Sequence, residues 1–381
     1  MSRNVGSMPF GASGERRAGH ATRTRLAKSA SATTTPHRPM PGPSYTNLRS
    51  SARRGGDSAA TPEDAPRSRT VTTEPKEPKV HRHHAPFSAG RSRFEYRLLM
   101  TLLAGLRALS LERSRALMGA IVGSGTFLSP RLRRVGLENL ARAFPERDPA
   151  WHRATLHASF RQLGFLAAEA AHFESLTREN IRDFVGFASP DVETAWRERM
   201  KGGAAIIATG HFGNWELFAQ AQGLMGEPIH IVHRPLRNPE IDDLVTRIRA
   251  LAGTRVIYKH AAARGILRLL HQGALVAIPI DQHSPGATGA PVPFFGHLAR
   301  TTMGPARLSQ LTGAPIQVAV LARIGETARH EILVKPPHEP PPRGKDPTVL
   351  LDTMARVSLD FEAIVREQPE QWLWMHRRWR P

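Results

Sequence analysis

Apolar residues recur along this chain in two rhythms. Between about residue 94 and residue 175 they return every three or four positions, the period of an amphipathic helix. Two apolar segments, "LLMTLLAGL" (98–106) and "ALMGAIVGSGTFLSP" (116–130), open this region. Two punctuated helices follow. "SPRLRRVGLENLARAF" offers Ser129 as cap and Pro130 in the first turn, and "DPAWHRATLHASFRQLGFLAAEAA" offers Asp148 and Pro149 in the same places. In the second helix Leu156, Phe160, Leu163, Ala167 and Ala170 fall on one stripe. From about residue 203 the rhythm changes to short apolar runs: "AAIIAT", "IHIV", "RVIY", "ALVAIPI", "IQVAVLA" and "EILVK". Runs without polar alternation suit strands covered on both faces. The expected fold class is α/β, with a mixed, largely parallel central sheet flanked by helices. Between two of the runs, "NPEIDDLVTRIRALAG" is a helix with Asn238 as cap, Pro239 next, and Gly253 after its end.

Composition divides the chain differently. Leu, Ile, Val and Phe together occur only 7 times in residues 1–93, where Pro, Ser, Thr, Gly and Arg dominate. Such a segment buries too little apolar surface to offset its chain entropy. The expected organisation is therefore a disordered basic tail over 1–93, a helical segment over 94–130, and the main domain over 131–381. Neither apolar segment of 94–130 reaches the roughly 20 residues needed to span a bilayer, so an interfacial or core helix pair is expected. The start of the chain lacks the apolar core of a signal peptide.

The formal charge of +20 is shared between the two parts. Residues 1–94 hold 17 Lys and Arg against 6 Asp and Glu, and the remainder 36 against 27. A basic folded part suits an acidic partner: nucleic acid, an anionic membrane surface or an acidic carrier protein. Nucleic acid is the least supported, because only 6% of the residues are aromatic and no recognised binding motif occurs. Phosphate-cradling glycine motifs are absent as well. With no cysteine in the chain, disulfides, thiolate metal sites and cysteine nucleophiles are excluded together.

The chemistry concentrates in "IIATGHFGNWELF" (206–218): a strand, a turn through Gly210 and Gly213, then a helix capped by Asn214. Ligand chemistry in open α/β sheets gathers at such strand ends. His211 lies in the turn, and its ring can fold back toward Glu216, a carboxylate orienting an imidazole whose other nitrogen serves as general base. A packed, hydrogen-bonded histidine and a glutamate favoured by the helix dipole are the plain alternatives. A metal site from His211, Glu216, Asp281 and His283 is conceivable from the ligand types, but no H-E-x-x-H helix supports it.

"HFGNWE" resembles the H-x4-D/E motif of the bacterial lipid A biosynthesis acyltransferases, the late lauroyl and myristoyl transferases, within the wider glycerolipid acyltransferase superfamily. The resemblance runs from Phe94 to Pro381. It includes "RRVGLENLARAFPE" (133–146), "HRPLRNPEIDDLV" (233–245), "DQHSPGATGAPVPFFG" (281–296), "TTMGPARLSQLTGAPI" (301–316) and "PEQWLWMHRRW" (369–379).

The resemblance implies that His211 is a base and Glu216 its orienting partner. It further implies that the acyl donor is an acyl carrier protein thioester and the acceptor a glycolipid hydroxyl. Lipid A precursor is the leading acceptor and a phosphatidylinositol mannoside its rival. Arg234 matches the arginine of the family's "RP" block, suited to a phosphate or a developing oxyanion, and Asp281 matches its "DQ". Asn214, Arg234, Asp281, Phe294 and Phe295 are thus the expected substrate-binding residues, the two phenylalanines as apolar wall or as ordinary core. No cofactor or metal is expected. The implied location is the cytoplasmic face of the inner membrane, peripheral or monotopic, with the tryptophans of 372–379 anchoring at the interface or closing the domain. His233 departs from the family, which favours an aromatic, usually tyrosine, there, and His283 follows "DQ" at a variable position.

Overall fold

Five helices lead into the sheet. They are α1 (Ala89–Arg107), α2 (Leu111–Gly123), the short α3 (Gly125–Leu128), α4 (Pro130–Ala143) and α5 (Pro149–Ala171). The computed structural model describes residues 88–233, 235–258 and 262–380, so the expected tail lies outside the described residues up to position 87. Its boundary moves, because α1 begins at Ala89. Ser92 is buried, and its carbonyl accepts from Asn238 Nδ2 at 3.0 Å, which fixes the first turns of α1 against the body. The helix punctuation holds at Asp148, whose carboxylate accepts from the Trp151 N–H at 2.7 Å, and at Asn238, which accepts from Glu240 and Ile241. At Ser129 it is Pro130 that marks the start, since the hydroxyl makes no capping bond.

α5 is buried on more than the expected stripe. Leu156 and Phe160 face the main core, while Phe165, Ala168 and Ala171 are buried as well, and α2 lies along their side. The crossing is close because Gly164 has no side chain: a Cβ there would stand 2.3 Å from the Met118 carbonyl oxygen. Helices 94–130 are thus built onto the same compact unit as the residues that follow.

The chain continues through α6 (Ile181–Phe184), β1 (Val185–Phe187), α7 (Pro190–Lys201), β2 (Ala205–Thr209), α8 (Trp215–Leu224), β3 (Ile229–His233), α9 (Pro239–Ala250) and β4 (Val256–Tyr258). Then come α10 (Ala262–His271), β5 (Leu275–Pro279), β6 (Gly289–Phe294), β7 (His297–Thr302), α11 (Gly304–Thr312), β8 (Ile316–Arg323), β9 (His330–Val334) and α12 (Pro347–Glu367). Seven strands form one sheet in the order β1-β9-β8-β2-β5-β3-β4, parallel at every pairing except β8 with β9. All six runs read from the sequence are strands of this sheet. The strands missed are the three-residue β1 and the separate hairpin β6–β7, where Pro291 and Pro293 break the apolar pattern.

The unbroken apolar runs have a direct structural reason. Along β2, Ile206 and Ala208 enter a core shared with α12 and the C-terminal tryptophans, whereas Ala205 and Ile207 enter a second core with α7 and α8. β5 and β8 alternate in the same way. These central strands are covered on both faces, so apolar residues fill both, and the buried polar exceptions on β8, Gln317 and Arg323, are hydrogen-bonded. Among the described residues no helix is long and apolar enough to cross a membrane. Phe94, Leu98 and Leu102 of α1, Leu117 and Ile121 of α2, and Phe127 and Leu128 of α3 are nevertheless exposed.

Candidate active site

Parallel pairing creates the site. Thr209, the last residue of β2, is in register with Pro279, the last residue of β5. His211 and Asp281 each lie two residues further on, so adjacent parallel strands deliver them side by side at the end where α/β sheets collect their ligands. The His211 Nδ1 is 3.0 Å from Asp281 Oδ1, and the His211 backbone N–H donates to Asp281 Oδ2 at 2.8 Å. Trp372 Nε1–H donates to the same oxygen at 3.1 Å.

The turn that presents His211 is tied down on every side. Gly213 adopts φ 55°, and a Cβ there would stand 2.0 Å from the Leu321 carbonyl oxygen, so only glycine fits. Its N–H donates to the Gln371 carbonyl at 3.0 Å, the Asn214 N–H to the Leu321 carbonyl at 3.1 Å, and the Leu373 N–H to the His211 carbonyl at 3.1 Å. Asn214 caps α8 by accepting from the Leu217 N–H at 3.0 Å, while its Nδ2 donates to Glu169 at 2.6 Å.

Burial would push the Asp281 carboxyl up, but His211 and the indole N–H outweigh it and hold the group down at about 2. Burial likewise pulls the His211 imidazole down, and the charge and hydrogen bond of Asp281, with a smaller contribution from Glu216, reverse this and raise it above its ordinary value. An imidazole that donates from Nδ1 to a carboxylate has its lone pair on Nε2. Among the described residues the Gln282 amide reaches Nε2 only at a long 3.4 Å, and the side chain keeps 24% of its surface exposed. Such a histidine is held fixed, with Nε2 partly open.

Residues 87–381 match the family model of the bacterial lipid A biosynthesis acyltransferases. The chain belongs to this family. It is 25% identical over 260 residues to the lipid A biosynthesis palmitoleoyltransferase of Escherichia coli strain K12, covering 67% of this chain and 82% of that one. It is 27% identical over 255 residues to the lauroyltransferase of the same strain, covering 64% and 77%. A lipid A biosynthesis acyltransferase of Shigella flexneri is 25% identical over 260 residues. The protein is an acyltransferase.

In this acyltransferase the carboxylate on His211 differs from the one the motif spacing suggested. Glu216 makes no hydrogen bond to His211 among the described residues. It sits in the first turn of α8, where the helix directs it away, and Arg249 of α9 grips it with Nε at 3.0 Å and Nη2 at 2.7 Å. Arg249 Nη1 also donates to His233 Nδ1 at 3.0 Å, and His233 Nε2–H donates to Asp242 at 2.7 Å. The departure at His233 therefore forms a buried relay between an arginine and an aspartate, one ring nitrogen accepting and the other donating.

Asn214 is fully buried with both ends of its amide engaged, so it shapes the turn in place of the substrate contact expected of it. Phe294 and Phe295 are also buried. They pack on Trp372, Trp374, Phe361 and Phe144 as core, and Phe294 stands one layer behind the Trp372 indole that holds Asp281. Arg234 lies outside the described residues. Among those residues no group of three or more His, Asp or Glu is placed to hold a metal ion. His283 joins the site only through its backbone N–H, which donates to His376 Nε2 at 3.0 Å.

The C-terminal strap was the part least visible in the sequence. Trp372 and Trp374 are buried, closing the domain over the strand ends instead of projecting as membrane anchors. Glu169 of α5 was missed entirely. It is buried among Asn214, Arg115 of α2 at 2.9 Å, Arg323 of β8, and His330 of β9 at 3.4 Å. Its signal in the sequence is a lone charged residue in the otherwise apolar run 163–171, "LGFLAAEAA".

Proposed function

We propose that this acyltransferase moves a fatty acyl group from an acyl carrier protein thioester to a hydroxyl of a lipid A precursor at the cytoplasmic face of the membrane. His211 acts as general base and Asp281 orients it. The observation that carries the reading is the His211–Asp281 pair at adjacent parallel strand ends with Nε2 left to the outside. His211 Nε2 takes the proton of the acceptor hydroxyl as its oxygen attacks the thioester carbonyl carbon. The new C–O bond forms, the carbonyl electron pair moves onto oxygen, and the tetrahedral intermediate then expels the carrier thiolate. That thiolate recovers the proton from His211. Asp281 stabilises the transient imidazolium while itself staying ionised.

Three features support the finer parts. The named relatives act in lipid A biosynthesis, which favours that acceptor over a phosphatidylinositol mannoside. The excess of Lys and Arg outside the first 94 residues suits an acidic carrier protein. The exposed Phe94, Leu98, Leu102, Ile121, Phe127 and Leu128 give a surface that buries its apolar area in the boundary of a bilayer. The purified protein, given lauroyl-acyl carrier protein and an under-acylated lipid A precursor in vesicles, transfers label to the lipid. Transfer to a phosphatidylinositol mannoside with none to lipid A, or transfer from coenzyme A thioester alone, overturns the respective part.

A further inference from the structure

The segment that closes the site carries a second histidine. Leu373 binds the His211 carbonyl through its N–H, and five residues later the Arg378 guanidinium donates to the carbonyls of Gln282 at 3.2 Å and Arg300 at 2.9 Å and to Thr301 Oγ1 at 2.6 Å. Asn139 Nδ2 holds the Trp374 and His376 carbonyls at 2.8 and 2.7 Å. His376 is thus clamped midway along a strap whose two ends are tied to the His211 turn and to the loop following Asp281. Its ring is fixed as well, because Nε2 accepts the backbone N–H of His283, two residues beyond Asp281.

An accepting Nε2 carries no proton, so the neutral ring keeps its proton on Nδ1. Among the described residues no group accepts from that Nδ1. Burial pulls the imidazole down to about 4, with Asp281 opposing and Arg380, His211 and Arg378 adding to the fall. The ring is therefore neutral wherever His211 is competent, and it lies within electrostatic reach of both members of the pair. A neutral, oriented N–H beside a base is the kind of group that stabilises charge developing on a carbonyl oxygen, and it does so without drawing the base toward protonation.

We propose that His376 is a catalytic residue of this acyltransferase, donating from Nδ1–H to the carbonyl oxygen of the reacting thioester. The inference rests on the reading of His211 as base. As the acceptor oxygen adds to the carbonyl carbon, the electron pair displaced onto oxygen is met by the His376 N–H. When the intermediate collapses, that pair re-forms the carbonyl and the thiolate departs with the proton from His211. His376 itself neither gains nor loses a proton.

Two isosteric substitutions separate this role from simple fastening of the strap. In His376→Asn the amide N–H overlies Nδ1, whereas in His376→Gln the amide oxygen overlies Nε2 and keeps only the bond from His283. With lauroyl-acyl carrier protein and an under-acylated lipid A precursor, His376→Gln and His376→Ala are expected to lower kcat about 10²- to 10³-fold, with the donor KM changed by less than about threefold. His376→Asn should recover at least about tenfold over His376→Gln. Should His376→Gln not fold, as judged by its melting curve, the ratio of His376→Asn to His376→Ala decides in the same way. Activity retained in His376→Gln and lost in His376→Asn, or equal losses in both, overturns the proposal and leaves a strap pin. His211→Ala measured alongside keeps the two readings apart: full activity there removes the base assignment, while the Asn-to-Gln order still decides His376.

Discussion

Two buried carboxylates organise this molecule, and they work in opposite ways. Asp281 collects three donors, two from His211 and one from Trp372, and leaves one imidazole edge open to the surface. Glu169 collects Asn214, Arg115, Arg323 and His330, and the side chains of Arg323 and His330 are wholly enclosed. Burial opposes ionisation in both, and in both the partners win, holding each carboxyl at about 2. Depressed carboxyl values therefore do not mark a site by themselves. What separates them is the partner: an arginine cannot release its proton at neutral pH, while a half-open histidine can exchange one. The first cluster is fit for chemistry and the second is a strut that ties α2, α5, β8 and β9 to the turn carrying His211.

The contrast can be broken in four places. His211→Ala should give the largest effect, a roughly 10²- to 10⁴-fold loss of kcat in a protein that melts near the wild-type temperature. Turnover within about threefold of wild type would refute the base. Asp281→Asn should approach it, with a loss of up to about 10⁴-fold as the imidazole tautomer is no longer fixed, whereas Glu216→Gln should cost far less because Glu216 serves Arg249.

The pH profile sharpens this step. With His211 as the base, activity requires its unprotonated form and should be lost as pH falls through a value above the ordinary 6.5. Asp281→Asn removes a cause of the rise and should move that acid limb to lower pH. An unmoved limb would assign it to another group.

The smallest effect on turnover, but the largest on stability, belongs to Glu169→Ala. Stripping the partner from Arg115 and Arg323 should cost about 3–5 kcal/mol of unfolding free energy. Because the folded value lies below the ordinary 4.5, this contribution is complete above pH 4.5 and disappears as pH falls toward about 2. Urea melts at pH 7 and pH 3 check it, and a deficit that grows on acidification would contradict the assignment.

Much of this was legible in the chain. The six apolar runs are six of the seven strands of the sheet, and the caps at Asp148, Asn214 and Asn238 work as their positions suggest. Local signals suffice there because the partners lie within four residues. The error at Glu216 has the same origin. Spacing of five residues invited a local pair, but once α8 begins at Trp215 the helix carries Glu216 toward Arg249, 33 positions away.

By itself, then, the sequence determined most of the elements, the coverage of both faces of the central strands, the turn that presents His211 and the family. Tertiary structure alone decided which acid serves that histidine, which tryptophan supports the acid, and which glutamate braces the turn. The physical reason is range. Periodicity and capping are written within a helical turn or a strand, whereas His211 and Asp281 meet only through the register of β2 on β5, 70 residues apart in the chain. Trp372, a further 91 positions along, reaches them only because the strap folds back across the strand ends.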